Sequence, residues 1–228
     1  MTQPIDSLRR KPRALVAWSS GKDSAYALHV ARTTGLADVV GLLTTITSSY
    51  GRVSMHGVRE SILDKQAAAV GLPLRKVFIP PGCTNERYDA EMAAAMTSAR
   101  ADGVTHVVFG DLFLADVRSY REKRLVGVGM TGLFPLWLRP TATLARDMLT
   151  DGLAATVSCV DPRRLDRSFA GRRFDAQLLK DLPVDIDPCA ENGEFHTCVT
   201  AGPMFRAPLS ITVGEVIERD GFVFADIY

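Results

Sequence analysis

From Arg13 onward the chain alternates short apolar runs with longer helical stretches, and that rhythm restricts the fold more than any other feature. ALVAWS (14–19) reads as a buried strand, followed by a turn and a helix to about Thr34. DVVGLLTTI (38–46), rich in β-branched residues, is a second strand. The segment 57–71 places Val58, Ile62, Leu63 and Val70 near one face and stops at Gly71, the pattern of an amphipathic helix. LRKVFI (74–79) is a third strand, 85–103 a helix of strong formers closed by glycine, and THVVFGD (105–111) a fourth strand. This alternation predicts an α/β fold: a three-layer, Rossmann-like parallel sheet with helices on both faces. In open sheets of that kind ligands bind beyond the carboxyl ends of the strands, so the turns after Trp18, Ile46 and Phe109 are where a site is expected.

Past Leu112 the rhythm loosens, which predicts a smaller C-terminal α+β part. A basic helical segment (118–127) leads to an LFPLWL strand (133–138), a helix (142–151) and an AATVSCV strand (154–160). The stretch 162–208, rich in Arg, Gly, Pro and acidic residues, reads as loops over the strand ends, and 210–227 as a hairpin turning at Asp220-Gly221. The expected division is a flexible tail over 1–12, a nucleotide-binding domain over 13–115 and a substrate-side region over 116–228.

The balance of 27 basic and 26 acidic side chains leaves a net charge of +1, which disfavours nucleic acid as the main partner. No stretch approaches the roughly 20 apolar residues that span a bilayer, and the N-terminus has no secretory pattern, so no membrane partner and a cytoplasmic location are expected. Cys83, Cys159, Cys189 and Cys198 form no CxxC pair and read as free thiols in a reducing compartment.

The most informative residues are Ser19, Ser20, Gly21, Lys22, Asp23 and Ser24, placed between a buried strand and a helix. Free N–H groups of such a turn and the helix dipole favour a phosphate, small residues let the backbone approach it, Lys22 adds charge, and Asp23 is suited to Mg²⁺. A Walker A loop is excluded: Val16 stands where its first glycine is needed and Asp23 follows the lysine. A GxGxxG fingerprint is absent as well. Further along, Glu191 and Glu194 flank Asn192 and Gly193, a group able to orient an amine, hold a metal or act as a general base, or simply a solvated acidic turn. Cys189, His196 and Cys198 match no usual zinc spacing, and the arginine-rich stretches 118–124 and 163–173 suit an anionic substrate, a triphosphate or plain solvent.

The hexapeptide 19–24 resembles the SGGxDS signature of the N-type ATP pyrophosphatases, the PP-loop family, with Ser20 in place of the first glycine. Residues 187–197 are similar to the E-[NG]-G-E-[FY]-x-T signature of its diphthine–ammonia ligase-like branch. Met55-His56, Gly110-Asp111 and Pro135-Leu136-Trp137 agree with that branch too. The resemblance implies an ATP-dependent, amide-forming ligase that releases AMP and pyrophosphate. ATP would lie against residues 19–24, His56, Gly110 and Asp111, with Mg²⁺ on Asp23; Lys22, Asp23, Glu191, Asn192 and Glu194 would act on the reaction. Ammonia and an unidentified carboxylate would be the other substrates. Three rival readings are a tRNA-modifying PP-loop enzyme, a nucleotide α-hydrolase and a non-catalytic nucleotide sensor. The apolar positions of the C-terminal hairpin leave a homodimer contact open.

Overall fold

The computed structural model describes residues 10–228; residues 1–9, most of the expected tail, lie outside the described residues. Five parallel strands make the body of the first sheet: β1 (Arg13–Ala17), β2 (Asp38–Thr47), β4 (Leu74–Ile79), β5 (His106–Val108) and β6 (Thr131–Leu133). Their pairings give the order β4-β2-β1-β5-β6, and the short β3 (Arg52–Val53) pairs antiparallel with the end of β2. The chain thus winds outward from β1 in one direction, returns, and continues from β5 in the other. A crevice opens at that reversal, beyond the ends of β1 and β5.

Alternating side chains of the strands fill two cores. Ala14, Val16, Leu42 and Ile46 face one, with α1 (Lys22–Thr33), α2 (Glu60–Val70) and α5 (Thr141–Thr150). Leu15, Leu43, Val77, Val107 and Phe109 face the other, with Met96 of α3 (Asn85–Ala101) and Leu125 of α4 (Ala115–Gly127). Both faces are covered, which is why the strands read as apolar runs. Helix α2 ends where Gly71 takes φ 71°, a left-handed cap that its missing Cβ permits, donating to the Ala67 and Ala68 carbonyls.

The second sheet is antiparallel, in the order β8-β7-β10-β9, from β7 (Ala154–Val160), β8 (Phe195–Ala201), β9 (Val213–Arg219) and β10 (Phe222–Ile227). Its inner face joins the core of α1 and α5 through Val157, Phe195, Val199 and Val223. Asp226 of β10 adds a polar tie, accepting from Arg52 at 2.8 Å and from Arg59 Nε at 2.9 Å. A 3₁₀ turn (Arg167–Phe169) and α6 (Ala176–Asp181) cross the connection between β7 and β8.

The α/β class, the strands at 74–79 and 154–160, and the hairpin turn at Asp220-Gly221 appear as expected. Three expectations do not. The LFPLWL run is not a strand: pairing stops at Leu133, where Pro135 has no N–H to give, and Leu138 sits at φ 59°. Its apolar residues serve packing instead, Leu136 being fully buried. The stretch 162–208 is not only loop, because it contains β8. Finally, β6 pairs with β5, so the parallel sheet continues past the division expected at residue 115.

Candidate active site

The turn after β1 is held open by bonds at both ends. Trp18 donates its amide to the Leu43 carbonyl at 2.8 Å, and Thr44 Oγ1 donates to the Trp18 carbonyl at 2.7 Å. Within the turn Ser19 Oγ and Ser24 Oγ lie 3.2 Å apart, and Ser24 Oγ donates to the Gly21 carbonyl at 3.0 Å. Ser20 adopts φ 70°, a conformation that costs an L-residue roughly 1–2 kcal/mol. Its carbonyl is gripped from two sides, by the Val199 amide at 2.8 Å and by Gln66 Nε2 at 3.2 Å. The family signature has glycine at this position, and the geometry shows why.

Two glycines are set by close approach. A Cβ at Gly21 would stand 2.8 Å from His56 Cε1 and 3.3 Å from the Thr197 carbonyl oxygen. A Cβ at Gly110 would stand 2.7 Å from the Asp23 carbonyl carbon and 2.8 Å from the Ser24 nitrogen, so the end of β5 presses directly on the first turn of α1. At that helix start Lys22 N donates to Thr197 Oγ1 at 3.0 Å, and no backbone carbonyl among the described residues accepts from the Asp23 or Ser24 amides. Free amides at a helix start are anion donors.

Lys22 does not reach into open space. It is 1% exposed, with Nζ donating to Asp23 Oδ2 at 2.9 Å and to the Cys189 carbonyl, and lies 5.4 Å from the centre of the Phe195 ring. Burial pulls the ammonium down, and Asp23, Cys189 and Asp187 together outweigh it, so its pKa stands above the ordinary lysine value. Burial pushes the Asp23 carboxyl up, against the pull of Lys22, and leaves it above the usual carboxylate range. Asp23 Oδ1 is buried without a hydrogen-bond partner. Mg²⁺ characteristically takes one or two protein carboxylates and completes its shell with water and substrate phosphate, so this oxygen beside the free amides fits it.

Residues 187–194 divide their polar groups. Glu191 Oε1 accepts from the Leu112 amide at 2.7 Å and the Phe113 amide at 3.3 Å, joining this loop to the turn after β5. Burial raises the Glu191 pKa, with the Leu112 amide opposing. Glu194 is fully buried: Oε1 accepts from Asn192 Nδ2 at 3.0 Å and lies 3.4 Å from Arg164 Nη2, while Oε2 has no partner. The two carboxylates therefore face different neighbours rather than forming one group. Burial pushes the Cys189 thiol well up and the Cys198 thiol to about 12, the opposite of an activated nucleophile. Among the described residues no group of three or more His, Cys, Asp or Glu is arranged to hold a metal.

A cavity of about 550 Å³ opens at the crevice. Of the expected site residues Ser19 and His56 line it; Ser20, Gly21, Lys22, Asp23, Ser24, Gly110, Asp111, Glu191, Asn192 and Glu194 do not. Its apolar part comes from Trp18, Leu43, Met92, Met96 and Phe109. His56 and His196 lie with ring centres 4.5 Å apart. Burial carries His56 well below the ordinary histidine value and His196 to about 4, so both imidazoles are neutral at pH 7. Sequence reasoning left out His196 as a wall residue, Arg121 and Arg124 of α4 as specific members of an arginine run, and Gln66. Gln66 is the hub of the turn: it accepts from Trp18 Nε1 at 3.0 Å and donates to the Val199 carbonyl at 2.7 Å. Its signal was available, a polar residue among the core positions Ile62, Leu63, Ala67 and Val70 of α2.

The family described as diphthamide synthase N-terminal domain matches residues 12–131, and that described as diphthamide synthase C-terminal domain matches residues 141–226. Over 113 residues the chain is 30% identical to a diphthine–ammonia ligase of Schizosaccharomyces pombe, a stretch that covers 46% of this chain. The match takes in 19% of that relative's length.

Proposed function

The chain belongs to the diphthamide synthase family, a diphthine–ammonia ligase-like PP-loop family, and from that premise we propose that it is an ATP-dependent ligase that forms an amide. A substrate carboxylate oxygen attacks the α-phosphorus of ATP, the bond to the β-phosphate breaks, and pyrophosphate leaves. Ammonia then attacks the acyl carbon of the adenylate, AMP departs, and the amide nitrogen loses a proton. The acceptor is a carboxylate, with diphthine, named in the relative, the first to try.

The roles follow from position. The cavity has the size and the apolar wall for a nucleoside, and Ser19 on its lining is followed along the chain by the free Asp23 and Ser24 amides, which suit the phosphate tail. Lys22, one residue inside α1, lends charge through the turn while its ammonium fastens the Cys189 carbonyl. Asp23 would hold Mg²⁺, which supplies charge neutralisation on the phosphates. Glu191 sets the distance between the 187–194 loop and the end of β5, and Asn192 with the buried Glu194 makes a polar pocket suited to the amine.

One observation carries the reading: the 19–24 turn and the 187–197 segment interlock. Lys22 bonds Cys189 and Thr197 at separations of 167 and 175 residues, and Val199 bonds Ser20 from farther still. The test is product analysis with Mg·ATP, ammonium and a panel of carboxylates, using Asp23→Asn as control. AMP and pyrophosphate are expected from the wild type and a loss of at least about tenfold in the variant. ADP and phosphate would overturn the assignment.

A further inference from the structure

Arg121 on α4 is a cation about one-third exposed, with its Nε buried. Its guanidinium lies 4.7 Å from the centre of the Phe109 ring, and it lines the same cavity as Ser19 and His56. Phe109 immediately precedes Gly110, whose backbone touches Asp23 and Ser24. The arginine is thus seated on the strand end that supports the candidate phosphate site. Its Nε lies 2.8 Å from Asp111 Oδ2, yet both atoms are buried and neither makes an aligned hydrogen bond.

Arg219 likewise buries an Nε without a partner, but two other arginines are seated differently. Arg163 engages Asp161 with two aligned bonds of 2.8 and 2.7 Å, and Arg118, one turn before Arg121 on α4, donates to Glu122 at 2.9 Å. A guanidinium carries five N–H donors, and a buried Nε–H left without an aligned acceptor is costly. Phosphate oxygens match its planar fork. The surroundings are rigid: Phe134 stacks on Phe109 at 5.3 Å, and Arg118 lies 4.5 Å from Phe134 and 4.7 Å from Trp137. Alternating cations and rings fix α4, so that Arg121 can turn its side chain without moving the helix.

We propose that Arg121 is a second polyphosphate contact, held beside Asp111 in the ligand-free protein and transferred to the phosphate tail when nucleotide enters the cavity. This rests on the ATP reading above and adds to it a binding residue and an exchange of partners. Asp111 acts as the competitor that keeps the cation close to where it will be used. A purely structural Arg121 would instead neutralise Asp111 and be indifferent to which nucleotide derivative is bound.

The experiment is calorimetric titration of Mg·ATP and of adenosine into wild type, Arg121→Gln, Arg121→Lys and Asp111→Asn, each checked by thermal melting. Arg121→Gln should weaken ATP about tenfold or more, the usual scale for a charge-assisted bond, and leave adenosine within about twofold. Arg121→Lys, which keeps charge without the fork, should fall between, and it carries the test alone if the glutamine variant does not fold. Asp111→Asn should bind ATP more tightly. Equal ATP affinity in wild type and Arg121→Gln overturns the contact while the ligase reading stands. Parallel losses of ATP and adenosine overturn it in favour of a structural role, and an Asp111→Asn variant no tighter than wild type overturns the exchange. A wild type that binds neither ligand removes the ATP reading and this proposal with it.

Discussion

The 19–24 turn and the 187–197 segment meet at one place but are built by opposite means. The turn is largely local: Ser19 and Ser24 bond each other, Ser24 bonds Gly21, and α1 continues from it. The later segment is held from afar, Glu191 by amides 79 and 78 residues away and Cys189 by Lys22 at a separation of 167. A local turn can be shaped before the rest of the molecule; a segment held from afar is shaped by it. The difference predicts that substitutions at the long-range contacts damage the whole fold, and those within the turn mostly the site.

The largest expected effect breaks the link itself. Lys22→Met leaves Asp23 and the Cys189 carbonyl buried without their cation, and should cost about 3–5 kcal/mol in urea unfolding. Glu191→Ala strips the acceptor from the Leu112 and Phe113 amides and should cost about 1–3 kcal/mol by the same measurement. A loss as small as that of a surface substitution would show that the 187–194 loop stands without its distant support.

The contrast extends to Asp226, another long-range contact, with Arg52 and Arg59. Arg59 and, less closely, Arg52 hold its carboxyl at about 2, below the ordinary 3.8. The depressed value makes its contribution complete above about pH 4 and lost as pH falls toward 2. With solvent screening at its half-exposed partner Arg59, that contribution should be about 1–2 kcal/mol, and Asp226→Asn should flatten the acid limb of stability against pH. The smallest effect belongs to the turn: Ser19→Ala should cost only about 0.5–1 kcal/mol of stability while slowing turnover.

The same distinction explains what could be read in advance. Strands β1, β2 and β7 announce themselves because burial on both faces requires apolar runs, and the 19–24 turn because its chemistry is contiguous. Strand β8 is hidden since His196 and Thr197 interrupt its run, and both are there for the site. The LFPLWL stretch misleads in the other direction: pairing ends at Leu133, and beyond it Leu136 packs in the core and Trp137 against Arg118 of α4. The role of Glu191 could not be seen, because nothing near it in sequence names Leu112. Arg121 was half visible, since arginines at 118, 121 and 124 recur every three residues and so share a helix face.

The bond between Lys22 and Thr197 also has a history within each molecule. Translation at 5–20 residues per second separates the two by roughly ten to thirty seconds, given the 175 positions between them. During that interval the parallel sheet is finished while the lysine destined for burial has neither the Cys189 carbonyl nor the rings of Phe174 and Phe195. The newborn chain therefore carries its most recognisable sequence in a form unable to close until residues 174–197 have been made.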